Sequence, residues 1–235
     1  MHVTVGLTPV ERVSAPVGIV IDVLRATSTI CRALASGWER VVCVGELEHA
    51  HELRAPGVAL AGERGNVRVA GFDFGNSPRE FAAPVAGGTL VLSTTNGTLA
   101  LLAAATRCET VLVASLLNLR AAVEAARGDA DVAVLCAGVE GGFAIDDAYV
   151  AGRIVSALGG TWDDAATAAA RLAGAFGSAE EGIGGGVSAE NIRRAGLDED
   201  VPFCARESVL DLAPRVVERG TTSVVVALES RPSGA

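Results

Sequence analysis

Residues 20–44 read VIDVLRATSTICRALASGWERVVCV, and residues 91–115 read VLSTTNGTLALLAAATRCETVLVAS. Each stretch opens with an apolar run that ends in a loop rich in hydroxyls. A mostly apolar segment of helical character follows, and a short charged step leads into a second apolar run. The first run, 17–23, is apolar on both faces, the pattern of a central parallel strand. The segment after Arg25 reads as a helix reaching Ser36 and closed by Gly37, with Thr27 or Ser28 as its N-cap. Residues 41–44 form the next strand. The second stretch gives strands at 89–92 and 110–114 around a helix over 99–105. Two accounts fit the likeness: an internal duplication, or two β-α-β units that look alike.

Working outward, 132–136 reads as a strand, 137–143 as a Gly-rich loop and 146–158 as a helix. This alternation predicts an α/β protein, a three-layer α/β/α arrangement around a mostly parallel or mixed sheet. The 235 residues suit a single compact α/β domain, whose two similar halves under the duplication account are about 1–80 and 81–235. Residues 161–175 read as an Ala-rich helix, 182–186 as a flexible Gly-rich hinge, 188–195 as a helix and 223–228 as a late edge strand. In such sheets ligands bind beyond the carboxyl ends of the strands, where all three polar loops fall.

Half of the chain is apolar and only 4% is aromatic, so Ala, Val and Leu build the core. The formal charge is -9, from 28 acidic against 19 basic residues, and all the basic residues are Arg. Such a surface repels nucleic acid and anionic membranes, and an acidic substrate needs a locally positive pocket. Without Lys there is no Schiff base and no Walker-type phosphate loop. The five Cys form no CxxC pair and read as buried reduced thiols; with no export pattern at the N-terminus, they predict a cytoplasmic protein. Residues 81–106 carry no charge but are broken by Pro84, Gly87, Gly88, Asn96 and Gly97, so no membrane span is expected there. The sequence leaves a homo-oligomer open.

The loops hold the candidate chemistry. Asp22, at a strand end, has the hard oxygens that a magnesium ion takes, and Arg25 beside it can grip a phosphate through paired hydrogen bonds. Thr27 and Ser28 add hydroxyls at a helix start, although plain capping accounts for them equally well. Glu63 and Arg64 follow an apolar run. Asp73, Asn76 and Ser77 lie in a rigid loop with two Gly and a Pro. Thr94, Thr95, Asn96 and Gly97 offer hydroxyls, an amide and backbone N–H groups, an oxyanion cradle without lysine. Asp146 and Asp147 open a helix, and because neighbours point apart on a helix only one is expected to face the site.

Three phosphatase chemistries fail on the sequence. A cysteine phosphatase needs Arg six positions after its Cys, and Cys136 has Gly142 there. The histidines, His2, His49 and His51, lie near the terminus or in a charged stretch. A haloacid-dehalogenase site needs Asp-x-Asp and a later Lys, and Asp22 is followed by Leu24. What survives is a carboxylate-and-metal site that activates water, or else a carboxylate nucleophile.

Taken in order, VIDVLRATST (20–29), GERGN (62–66), GFDFGNSP (71–78), STTNGT (93–98) and CAGVEGGFAIDDAYVAG (136–152) resemble the 2-phosphosulfolactate phosphatase family. The likeness covers about the first two-thirds of the chain and loosens after Leu158. It implies a three-layer α/β fold and a magnesium-dependent hydrolase. The reaction implied converts (2R)-2-phospho-3-sulfolactate to (2R)-3-sulfolactate and phosphate, a step in coenzyme M synthesis. The matching positions are Asp22, Arg25, Thr27, Ser28, Glu63, Asp73, Asn76, Ser77, Thr94, Thr95, Asn96 and Asp146 or Asp147. Asn66 departs from the expected second Gly after GERG, a change expected to touch the loop and not the site. Individual roles rest on chemistry. Asp22, Glu63 and Asp146 or Asp147 hold Mg²⁺ directly or through water; the metal, Arg25 and the 94–96 loop hold phosphate; a metal-bound water, or a water that Asp73 deprotonates, attacks phosphorus; Arg64 or Arg79 reads the sulfonate or carboxylate. The alternatives are a phosphatase of another small phospho-hydroxy acid and a non-catalytic protein that binds such an anion.

Overall fold

A computed structural model describes residues 1–128 and 131–228. The chain opens with strand β1 (His2–Gly6), then runs β2 (Val17–Ile21), α1 (Ala26–Ala35), β3 (Arg40–Val44), α2 (Leu47–Glu52) and β4 (Val58–Arg64). After the short β5 (Val67–Arg68) come β6 (Thr89–Ser93), α3 (Gly97–Ala105), β7 (Thr110–Ala114), α4 (Leu119–Ala126) and β8 (Asp131–Cys136). The remainder is α5 (Ile145–Leu158), β9 (Thr161–Trp162), α6 (Asp164–Ala173), α7 (Ala179–Gly184), α8 (Val187–Arg194), α9 (Asp200–Cys204), β10 (Arg215–Arg219) and β11 (Ser223–Ala227).

The strands form one sheet in the order β5-β4-β6-β3-β11-β10-β7-β2-β8-β1-β9. Two parallel blocks, β4-β6-β3 and β7-β2-β8-β1-β9, are joined by the β10–β11 hairpin, which runs antiparallel to β7 on one side and to β3 on the other. The run β2-α1-β3-α2-β4 has the same element order as β6-α3-β7-α4-β8. Exchange β2 with β6, β3 with β7, β4 with β8 and β11 with β10, and the eight central strands read the same backwards. The likeness of the two quoted stretches therefore extends to the topology.

β2 is buried along its whole length. Its Ile19 and Ile21 pack in a core with α4 and α5, through Ala122, Val123, Val150 and Ile154. Val20 faces the opposite way, into a core with Ile30 and Leu34 of α1 and Leu101 of α3. That second core also takes Cys43, Leu90 and Leu92 from the first block and Val113 and Leu135 from the second, so the sheet wraps around α1 and α3. Helices thus cover both faces of a mostly parallel sheet, the three-layer α/β/α class. Among the described residues no helix is long and apolar enough to cross a membrane.

Four local readings change. The strand at 223–228 is not an edge: β11 lies inside the sheet between β3 and β10. Residues 182–186 are not a hinge, since α7 runs to Gly184. A Cβ on Gly182 would stand 2.4 Å from Tyr149 Cδ2, so this glycine lets α7 close on α5. The stretch from 161 begins with β9 before α6, whose N-cap is Asp163. Thr27 and Ser28 are not N-caps: α1 starts at Ala26, and both hydroxyls donate backward, to the carbonyls of Asp22 and Val23.

Candidate active site

Asp22 follows the last residue of β2 and lies where the N-termini of α1 and α3 meet. Its Oδ1 accepts from the Ala26 N–H at 3.2 Å. Its Oδ2 accepts no hydrogen bond among the described residues. It lies so close to Gly97 that an added Cβ would stand 2.5 Å from it and 2.4 Å from the Ala26 Cβ. Two helix starts favour the anion, yet burial outweighs them. Burial pushes the Asp22 carboxyl up to about 7, with the Asp146 and Glu63 charges adding and the Ala26 N–H and Arg25 opposing.

The other acids arrive from distant strand ends. Glu63, near the end of β4, is buried; its Oε1 accepts from the N–H and the hydroxyl of Thr95, and its Oε2 from the Asn66 N–H. Asp147, in the first turn of α5, accepts from the Val23 N–H through Oδ1 and from the Gly138 N–H through Oδ2, both at 2.9 Å. Burial, then Asp146 and Asp22, hold its carboxyl well above the usual range. Asp146 accepts from the Ser188 hydroxyl at 3.0 Å, and burial pushes it up to about 6. Contrary to expectation, both adjacent aspartates line the cleft.

Arg25 is fully buried and is, among the described residues, the one guanidinium lining the cleft. Its Nη1 donates to Asp200 Oδ2 at 2.7 Å and its Nη2 to Asn66 Oδ1 at 3.1 Å. Its Nε is buried with no partner among the described residues, and so is Oδ1 of Asn76 on the same cleft. Buried orphans of this kind in a concave site mark where a ligand belongs. Thr95 and Asn96 complete the wall at the start of α3.

Other sequence candidates stand elsewhere. Asp73 is not in the cleft: its Oδ2 accepts from the Leu60 N–H at 2.8 Å, and Arg54 is 3.4 Å away. Those contacts, the Leu60 N–H first, hold its carboxyl low, so it satisfies a strand edge and is no base for the site. Arg64 donates to the carbonyls of Glu63, Ser93 and Gly45 and to the Ser93 hydroxyl, Arg79 is exposed, and neither lines the cleft. Ser77 donates to Asp200 Oδ1 at 2.6 Å. Thr27, Ser28 and Thr94 brace loop backbone and do not line the cleft, and Gly97 supplies space.

The structure also adds residues. Asp200, wholly buried in α9, anchors Arg25. Asn66, expected to alter only its loop, touches Arg25 and lines the cleft from a left-handed backbone (φ 64°). α8 brings Ser188 and Asn191. The departure from Gly was the only sequence signal for Asn66; the other three had none.

Among the described residues no three His, Cys, Asp or Glu side chains close into a metal cage. Magnesium does not need one, since it keeps several waters and takes one or two carboxylates. Asp22 and Asp146 fit that demand, because both are buried on the cleft, where burial destabilises each carboxylate and the Asp146 charge acts on Asp22. Glu63 and Asp147 are occupied by backbone N–H groups and organise the loops.

The family model described as 2-phosphosulpholactate phosphatase matches residues 3–219. A Thermus thermophilus protein named probable 2-phosphosulfolactate phosphatase is 41% identical over 214 residues, 88% of this chain and 90% of its own length. Proteins of the same name from Thermotoga petrophila and Deinococcus radiodurans are each 38% identical. They cover 92% and 86% of this chain and 95% and 88% of their own lengths.

Proposed function

The chain belongs to the 2-phosphosulpholactate phosphatase family, and from that premise we propose that it hydrolyses (2R)-2-phospho-3-sulfolactate to (2R)-3-sulfolactate and phosphate with Mg²⁺. As a phosphoric monoester hydrolase it breaks the bond between phosphorus and the ester oxygen. We assign the step to coenzyme M synthesis in the cytoplasm. The observation that carries the reading is the meeting, in one cleft, of the buried Arg25 with its unpaired Nε and the buried carboxylates of Asp22 and Asp146.

Asp22 and Asp146 would hold Mg²⁺, which when bound neutralises phosphate oxygens and makes a bound water acidic enough to act as nucleophile near neutral pH. Arg25, locked by Asp200 and Asn66, presents Nε to a phosphate oxygen without having to be ordered on binding. The start of α3 orients the anion with its backbone dipole, and Glu63 holds the Thr95 N–H in place there. Asp147 does the same for Val23 and Gly138, tying the loops after β2 and β8 together. Asp73 takes no part.

The test is phosphate release from 2-phosphosulfolactate with Mg²⁺, with chelator, and across a panel of phosphorylated hydroxy acids. Turnover that vanishes with chelator and returns with Mg²⁺ is expected. Full turnover in chelator would overturn the metal role, and a higher kcat/KM for another phospho-acid would move the substrate assignment.

A further inference from the structure

A second cavity adjoins the cleft and is not needed for so small and polar a substrate. It shares Thr95, Asn96 and Glu140 with the cleft, so the two spaces have a common wall. From there it follows α3: Asn96, Leu99, Ala100, Ala103 and Arg107 line it, positions that recur every three or four residues along one helical face. At 1.5 Å per residue, Asn96 to Arg107 spans roughly 16 Å. Pro9 lies on the opposite wall, and Leu135 and Ala137 of the β8 end form the base. The lining is mostly apolar, and Leu99, 51% exposed, stands between this groove and the hollow beside Gly45 and His49. Arg107 closes the far end, pinned by a hydrogen bond to the Glu11 carbonyl.

We propose that this groove receives the apolar chain of a phosphate monoester whose phosphate occupies the cleft, so that the enzyme takes alkyl phosphates as an additional substrate class. The chain would leave the cleft between Asn96 and Glu140 and lie along α3 toward Arg107. The chemistry is the hydrolysis already assigned: water adds to phosphorus, the ester bond breaks, and the alcohol leaves with a proton. The inference rests on the cleft binding phosphate, and it reaches beyond the assigned substrate.

The experiment measures kcat/KM for ethyl, butyl, hexyl and octyl phosphate with Mg²⁺, beside 2-phosphosulfolactate, in the wild type and in Ala103→Trp. The wild type should gain about fourfold per methylene, the partition of an alkyl group into an apolar site. Ala103→Trp should abolish that gain while keeping the 2-phosphosulfolactate rate within about twofold. Should the Trp variant fold poorly, Leu99→Glu at the exposed wall serves the same purpose. A rate independent of chain length overturns the proposal, as does an equal loss on both substrate types. Chain-length independence with a dimer that Ala103→Trp dissociates assigns the groove to a second copy of the chain and equally overturns it. If no ester is hydrolysed, the functional reading fails on its own. Calorimetric binding of octyl phosphate then decides the groove: affinity rising with chain length and lost in Ala103→Trp upholds it, and no binding overturns it.

Discussion

The loop after β2 and the loop after β6 share one construction and differ in chemistry. In the first, the Thr27 hydroxyl accepts from the Asp22 N–H at 3.1 Å and donates to the Asp22 carbonyl at 2.8 Å. In the second, Thr98 does the same to Thr94, at 3.3 and 2.9 Å. The next N–H in each loop is held by a buried acid from another element: Val23 by Asp147 in the first turn of α5, Thr95 by Glu63 near the end of β4. The side chains then diverge. The first loop, one residue longer, carries Asp22 and Arg25; the second carries Thr94, Asn96 and Gly97. The backbone cradle was built twice and charged once, and the neutral copy leaves the space into which the charged one fits.

The largest effect should come from making the loops alike in chemistry. Asp22→Asn should lower phosphate release on the order of a thousandfold, whereas Thr94→Ser should keep it within about tenfold. A steady-state assay checks both, and equal losses would break the asymmetry. Next is the anchor that only the charged loop has. Asp200→Ala leaves Arg25 buried without its counter-ion and should cost about 3 kcal/mol in urea unfolding. The pair Arg25→Met with Asp200→Leu should recover most of that stability and no activity.

The shared lock predicts smaller and matched effects. Thr27→Val and Thr98→Val should each cost about 1–2 kcal/mol, and a cost confined to one would show that the two locks are not equivalent. Last is a pH effect confined to the charged side. Asp22 and Asp146 have folded-state values of about 7 and about 6 against an ordinary 3.8, so protonation favours the folded state. In chelator, their contribution is complete below about pH 4 and is lost as pH rises through 6 and 7. A fall in Tm over that range is expected by thermal scan. Asp22→Asn should flatten it, and an unchanged slope would remove Asp22 as its source.

The repeated units were legible because a strand buried on both faces and a helix closed by Gly leave local marks, as at 17–37. Asp22, Thr95, Asn96 and the 146–147 pair were legible because each sits at a strand end or helix start. Asp73 misled because a Gly- and Pro-rich loop looks alike whether its carboxylate faces a cleft or completes a neighbouring strand, as it does for Leu60. Asp200 was illegible since its partner lies 175 residues away. β11 read as an edge for a similar reason: the strand on its far side, β3, comes from residues 40–44.

The hairpin at the end of the described chain has a consequence for biogenesis. Until residues 215–227 leave the ribosome, β3 and β7 each present an unpaired backbone ladder, and no strand joins the two blocks. The nascent polypeptide therefore holds two half-sheets with naked margins, prone to pairing with strangers until the hairpin bridges them.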